Sequence, residues 1–201
     1  MTTPVVVFDF DGTLTRRDTL LPFLGAVAGR VNVARALGPA AWHFVARGRD
    51  DAKEQLLTRV LRGRDRAEIA AAGRAYGAHL VARAIVPPVR DRLVWHQREG
   101  HRVMIVSASL DVYLSEVARA LAIDDLICTE LETDAADRLT GRILGANCRG
   151  AEKVARLRAR LGDDAKLLWA YGDGSGDEAM LALAANPVRV RRGRLDRSRT
   201  A

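Results

Sequence analysis

The segment VVVFDFDGTL, residues 5–14, constrains the fold more than any other: an apolar, β-branched run ends abruptly in two carboxylates separated by one phenylalanine. Such a run suits a strand buried on both faces of a parallel sheet. HRVMIVSAS at 101–109 and AKLLWAYGDG at 165–174 repeat the design, each a short apolar run that stops in small, polar or glycine-rich residues. Helical patterns follow the second and third, in LDVYLSEVARALA and EAMLALAA. Strands alternating with helices predict an α/β fold, a doubly wound parallel sheet whose ligands bind beyond the carboxyl ends of the strands.

The first and second runs are separated by about ninety residues without a strand-like pattern. A crossover helix needs far fewer, so residues 16–85 are expected to form an all-helical insertion in a core made of 1–15 and 86–190. Asp50 or Asp51 and Asp65 are candidate helix caps, Gly48 and Gly63 candidate stops, and Pro87-Pro88 marks the return to the sheet. ETDAADRLTGRI reads as a small β-hairpin. A length of 201 residues suits one core with an insertion better than two independent domains.

The formal net charge of +7 invites a nucleic-acid reading, but its location argues otherwise. Residues 189–201 hold six arginines and one aspartate, so most of the excess sits in an expected basic tail, 191–201. That tail has no aromatic residue on which a base could stack, and nucleic acid is not the expected partner. Cys128 and Cys148 form no CxxC pair, and the N-terminus lacks the pattern of a signal peptide, so a cytoplasmic protein is expected. The longest apolar stretch is interrupted by Arg30, Arg35 and Pro39 and falls short of a spanning helix.

Asp9 and Asp11, two apart at a strand end, can both reach the crevice at the sheet edge if the strand unwinds there. Carboxylates so close repel each other unless a cation offsets them. Asp173 and Asp177, in YGDGSGDEAML at another strand end, add hard oxygen ligands of the kind Mg²⁺ prefers. Ser107, followed by the backbone N–H groups of Ala108 and Ser109 near a helix start, is a candidate phosphate cradle, and Lys153 at the opening of a later helix offers a fixed positive charge.

DFDGTLT, IVSAS, a downstream lysine and GDGSGDEAML resemble, in order, the four motifs of the haloacid dehalogenase superfamily of phosphotransferases. The helical insertion directly after the first motif is similar to the small-capped branch that includes the phosphoserine phosphatases. The resemblance implies a Mg²⁺-dependent phosphomonoesterase in which Asp9 attacks phosphorus to form an aspartyl-phosphate, and Asp11 protonates the leaving oxygen and later activates water. It implies phosphate binding by Gly12, Ser107, Ala108 and Lys153, with Asp9, Asp11, Asp173 and Asp177 at the metal. Arg149, which precedes a glycine, is the other candidate for the motif-three cation. The pumps of this superfamily carry threonine at the place of Asp11, so its presence argues for a hydrolase.

Two substrate classes follow from the insertion. Asp18, nine positions after Asp9, and Arg59 stand where phosphoserine phosphatases hold their amino acid, which implies a small soluble ester of the phosphoserine or histidinol-phosphate type. The apolar, arginine-studded segment 20–49 followed by Gly-x-Glu-Lys-Val is instead similar to capped phosphatidylglycerophosphate and polyprenyl-phosphate phosphatases. In that case the basic helix and tail would meet anionic lipid. A non-catalytic binder of a phosphorylated ligand is a third option, opposed by the intact aspartates.

Overall fold

A computed structural model describes residues 3–123, 125–163, 166–191 and 193–196. Five parallel strands form its sheet: β1 Val5–Phe8, β2 Arg102–Leu110, β3 Asp125–Thr129, β6 Leu167–Gly172 and β7 Ala184–Arg191, in the order β3-β2-β1-β6-β7. A short strand, β8 Arg194–Leu195, pairs antiparallel with the end of β7. The remaining strands, β4 Leu131–Thr133 and β5 Leu139–Ile143, make the predicted hairpin. The central β1 alternates between the two faces of the sheet. Val6 and Phe8 join the larger core with Leu114 and Val117, while Val7 joins Met104, Val106 and Leu157 on the other side. That double burial is why the run reads as continuously apolar.

Four helices lie between β1 and β2: α1 Leu20–Ala28, α2 Arg30–Arg47, α3 Arg49–Leu61 and α4 Arg66–Arg83. Asp65 caps α4, its Oδ1 accepting from the N–H groups of Ala67 and Glu68 at 2.8 and 3.2 Å. The chain leaves and rejoins the sheet region at one place, where Thr15 bridges to Ile85 and the Val86 N–H donates to the Leu14 carbonyl at 2.8 Å. Then α5 Pro87–Arg98 leads into β2, which is followed by α6 Asp111–Ala120. Gly73 lets α4 lie directly on α6, since a Cβ there would stand 2.0 Å from the Val112 carbonyl oxygen. Helix α3 rests on the hairpin, with Thr58 Oγ1 donating to the Gly141 carbonyl at 3.0 Å. Helix α7 Ala151–Leu161 precedes β6, and the short α8 Glu178–Leu181 follows it.

The expected tail is corrected at its start. Arg191 closes β7, Arg194 and Leu195 return alongside it, and Leu195 packs on the core, which draws the chain back to the sheet. Arg192 and residues 197–201 lie outside the described residues.

Candidate active site

The site is built where β1 stops. The Asp9 N–H still pairs with the Tyr171 carbonyl of β6 at 2.9 Å, and the chain then turns away through residues 10–14. Gly12 makes that turn possible at φ +82°, and a Cβ on it would stand 2.0 Å from Asp173 Oδ2. The first and last motifs are thereby fitted together with no room for a side chain. Thr13 Oγ1 donates to Asp9 Oδ2 at 3.2 Å.

Lys153, in the first turn of α7, is buried and donates to Asp9 Oδ1 and Asp177 Oδ1, each at 2.6 Å. Arg149, the other candidate cation, lines the same cavity, and its Nη2 reaches Ser175 Oγ at 3.4 Å. The second oxygen of Asp177 accepts from the Asp173 and Gly174 N–H groups at 3.1 and 3.3 Å. Burial works against the Lys153 ammonium, yet the two carboxylates outweigh it and raise its pKa to about 12. Burial pushes the Asp9 carboxyl up to about 6, against the pull of Lys153.

Asp11 is held differently. Its Oδ1 accepts from the Thr19 N–H and Oγ1 at 3.1 and 2.8 Å, and its Oδ2 from Ser109 Oγ at 2.6 Å. Thr19 Oγ1 in turn lies 3.1 Å from the hydroxyl of Tyr113. Burial first, and then the charge of Asp18, raise Asp11 to about 7 despite those hydrogen bonds. One carboxyl is thus cation-paired, and the other, two residues on, is surrounded by hydroxyls and held well above the usual carboxylate range.

Ser107 is buried at the end of β2, and its Oγ accepts from the Ser109 N–H at 3.1 Å. Asp9, Asp11, Gly12, Asp18, Ser107 and Ala108 face a single cavity of about 570 Å³ together with Lys153, Asp173 and Asp177. Asp18 is exposed at its rim, with Oδ1 accepting from the Leu20 N–H at 2.9 Å. Arg59 does not line this cavity; it is exposed near the C-terminal end of α3. Its helical phase explains the correction. Asp50 and Lys53 bond through their side chains to Asn147 beside the cavity, and six residues beyond Lys53 the helix has turned Arg59 to another side.

Lys53 and Asn147 are the functional candidates that the sequence did not reveal. Lys53 Nζ donates to the Ala108 carbonyl and to Asn147 Oδ1, the latter at 2.7 Å. Asn147 also accepts from Thr129 Oγ1 at 2.9 Å and donates to Asp50 Oδ1 at 2.6 Å. The only signal was the three-residue spacing of Asp50 and Lys53, which puts them on one helix face without saying what that face meets.

Asp9, Asp173 and Asp177 each offer an oxygen within 4.8 Å of the others. Partial desolvation and the neighbouring Asp177 hold the Asp173 carboxyl above its usual range. Three converging carboxylates with one lysine leave residual negative charge on hard oxygen donors, so the donor set fits a divalent cation such as Mg²⁺. Among the described residues no helix is long and apolar enough to cross a membrane.

A family model described as haloacid dehalogenase-like hydrolase matches residues 6–182. The chain is 40% identical over 187 residues to Protein CicA of Caulobacter vibrioides, covering 90% of this chain and 82% of that protein. It is 28% identical over 129 residues to a histidinol-phosphatase of Neisseria meningitidis serogroup C, covering 61% and 58%. Its fold is that of a phosphoserine phosphatase solved as a phospho-aspartyl intermediate analogue, with a TM-score of 0.66 at 17% identity over 94% of this chain and 87% of the other. With the motif residues gathered at the sheet edge and the family model spanning most of the sequence, the chain belongs to the haloacid dehalogenase-like hydrolases.

Proposed function

We propose that the protein is a Mg²⁺-dependent phosphomonoester hydrolase of the cytoplasm that works through an aspartyl-phosphate on Asp9 and takes a small soluble ester. The observation that carries this reading is the division of labour between two carboxyls in one cavity, Asp9 paired to Lys153 and Asp11 raised to about 7. A carboxyl below neutrality and cation-paired stays ionised and suits a nucleophile, while one near neutrality suits proton transfer in both directions. A carboxylate oxygen of Asp9 forms a bond to phosphorus as the ester P–O bond breaks, and Asp11 gives its proton to the departing alkoxide. Asp11 then takes a proton from the water that attacks phosphorus, which frees Asp9 and releases inorganic phosphate. Ser107, the backbone around Gly12 and Ala108, and Lys153 would hold the phosphoryl oxygens. Bound Mg²⁺, held by Asp9, Asp173, Asp177 and the Asp11 backbone, would offset the repulsion between phosphate and carboxylates.

On this reading, residues 16–85 act as a cap over the site in the 1–15 and 86–190 core, and substrate choice lies with the cap. The names of the relatives, a histidinol-phosphatase and a phosphoserine phosphatase, support a small phosphate ester. A lipid-linked ester is the second reading. It rests on an apolar groove between α1 and α2 lined by Leu21, Val33 and Leu37, on the exposed Val31 and Val45, and on four arginines with no acidic residue across 19–49.

The test is phosphate release from a panel of esters, phosphoserine, histidinol phosphate, sugar phosphates and phosphatidylglycerophosphate, with Mg²⁺ and with EDTA. Mg²⁺-dependent release from a soluble member is expected; release from the lipid alone would select the second reading, and no release from any would refute both.

A further inference from the structure

Lys53 is a cation placed in a cavity wall without an ion-pair partner among the described residues. Its ammonium group is held by two neutral acceptors, the Ala108 carbonyl and Asn147 Oδ1, and makes no ion pair among the described residues. The acidic groups around it are engaged elsewhere: Asp50 accepts from Asn147, Asp18 from the Leu20 N–H, and Asp11 from Thr19 and Ser109. A partly buried charge is ordinarily paired within the protein. Burial here outweighs the attraction of the three aspartates and brings the lysine down to about 8. Lys153, in the same cavity, sits between two carboxylates.

The position of Lys53 identifies what it would pair with. Ala108 is the residue between Ser107 and Ser109, and Ser109 holds the Asp11 carboxyl. Since the leaving oxygen must lie against Asp11 to be protonated, Lys53 stands beside the alcohol portion of a substrate. Arg16 and Arg17 line the same cavity and make no ion pair among the described residues.

We propose that Lys53 is a specificity-determining residue that selects phosphate esters whose alcohol portion carries a second anionic group, a carboxylate or a further phosphate. This rests on the phosphomonoesterase reading of the cavity. It separates the substrate from cationic esters such as histidinol phosphate, whose amine would be set against the Lys53 ammonium.

The experiment compares 3-phosphoglycerate with glycerol 3-phosphate, which lacks the carboxylate, in wild type, Lys53→Met and Lys53→Arg, with p-nitrophenyl phosphate as reference. In wild type, kcat/KM should favour 3-phosphoglycerate by at least about tenfold; Lys53→Met should bring the ratio close to one and Lys53→Arg should keep most of it. A wild-type ratio at or below one, or a ratio unmoved by Lys53→Met, would overturn the proposal. If turnover of either ester is too slow, their constants as competitive inhibitors of p-nitrophenyl phosphate hydrolysis give the same ratio with the same criteria. Phosphatidylglycerophosphate in mixed micelles supplies the anion as a phosphodiester, and a Lys53→Met loss larger on it than on 3-phosphoglycerate would assign the anion to a lipid headgroup. Failure of wild type to release phosphate from any ester, p-nitrophenyl phosphate included, would strike the phosphomonoesterase reading itself and is thereby distinguishable.

Discussion

Two lysines in one cavity carry opposite electrostatic histories. Lys153, on the helix that precedes β6, is fully enclosed, bonded to Asp9 and Asp177 and raised to about 12. Lys53, on the helices inserted after β1, is less enclosed, bonded only to neutral oxygens and lowered to about 8. At the sheet edge the charges answer one another before any substrate arrives. On the wall contributed by α3, Lys53 makes no ion pair among the described residues. On the proposed reading, the chemistry common to phosphate esters belongs to the centre where lysine and carboxylates are paired, and selection belongs to the wall that carries Lys53.

The largest expected effect is on the balanced side. Asp9→Asn should lower kcat by at least about three orders of magnitude with the far-ultraviolet circular dichroism unchanged, because the nucleophile is lost. Undiminished turnover in the folded variant would end the aspartyl-phosphate mechanism.

Stability should then separate the two lysines. Lys153→Met strands two buried carboxylates and should cost about 3–5 kcal/mol in urea unfolding at pH 7. Lys53→Met removes a cation that makes no ion pair among the described residues and should stay within about 1 kcal/mol of wild type or gain stability. Equal losses would erase the distinction. The folded pKa of Lys53, about 8, lies below its ordinary value of 10.5. The unfolded chain therefore binds more protons in that interval, and wild type should gain on Lys53→Met as pH rises from about 8 to about 10.5, with little change from this group below 8. A gap that instead widened in favour of Lys53→Met would contradict the lowered pKa.

A subtler break concerns metal. Both oxygens of Asp177 are occupied, by Lys153 and by two backbone N–H groups, whereas Asp173 is exposed at the cavity. Asp173→Ala should raise the Mg²⁺ concentration for half-maximal activity by about tenfold or more, and more than Asp177→Ala does. The reverse order in a metal titration would exchange their roles. The smallest effect is expected at Arg59, outside the cavity, where Arg59→Ala should change kcat/KM by less than about twofold.

Much of this arrangement was legible because it is local. The β-branched run into Asp9, the serine-rich end of β2 and the glycine-rich turn after β6 are contiguous signals, and the fold brings their tips together. The helical insertion was legible from its period. Strand β3 was not, being five residues long and flanked by no distinctive turn, and β7 was hidden by Asn186-Pro187. Pro187 is tolerated where β7 has β6 as its partner and β8 pairs only Val190 and Arg191. Lys53 is not legible because its meaning depends on Asn147, 94 residues away, and the place of Arg59 off the cavity is not legible because the phase of α3 is fixed by its packing on the hairpin.

The bridge between Thr15 and Ile85 has an architectural consequence. Because the excursion begins and ends at one point, the sheet experiences it as a closed loop, whatever its contents. Lengthening such a loop raises its closure entropy only logarithmically, by about 0.6 kcal/mol per doubling. The four helices are therefore the part of this enzyme that can change in length without re-registering the five parallel strands, while the hairpin, which pairs with residues 63–66, would have to change with them.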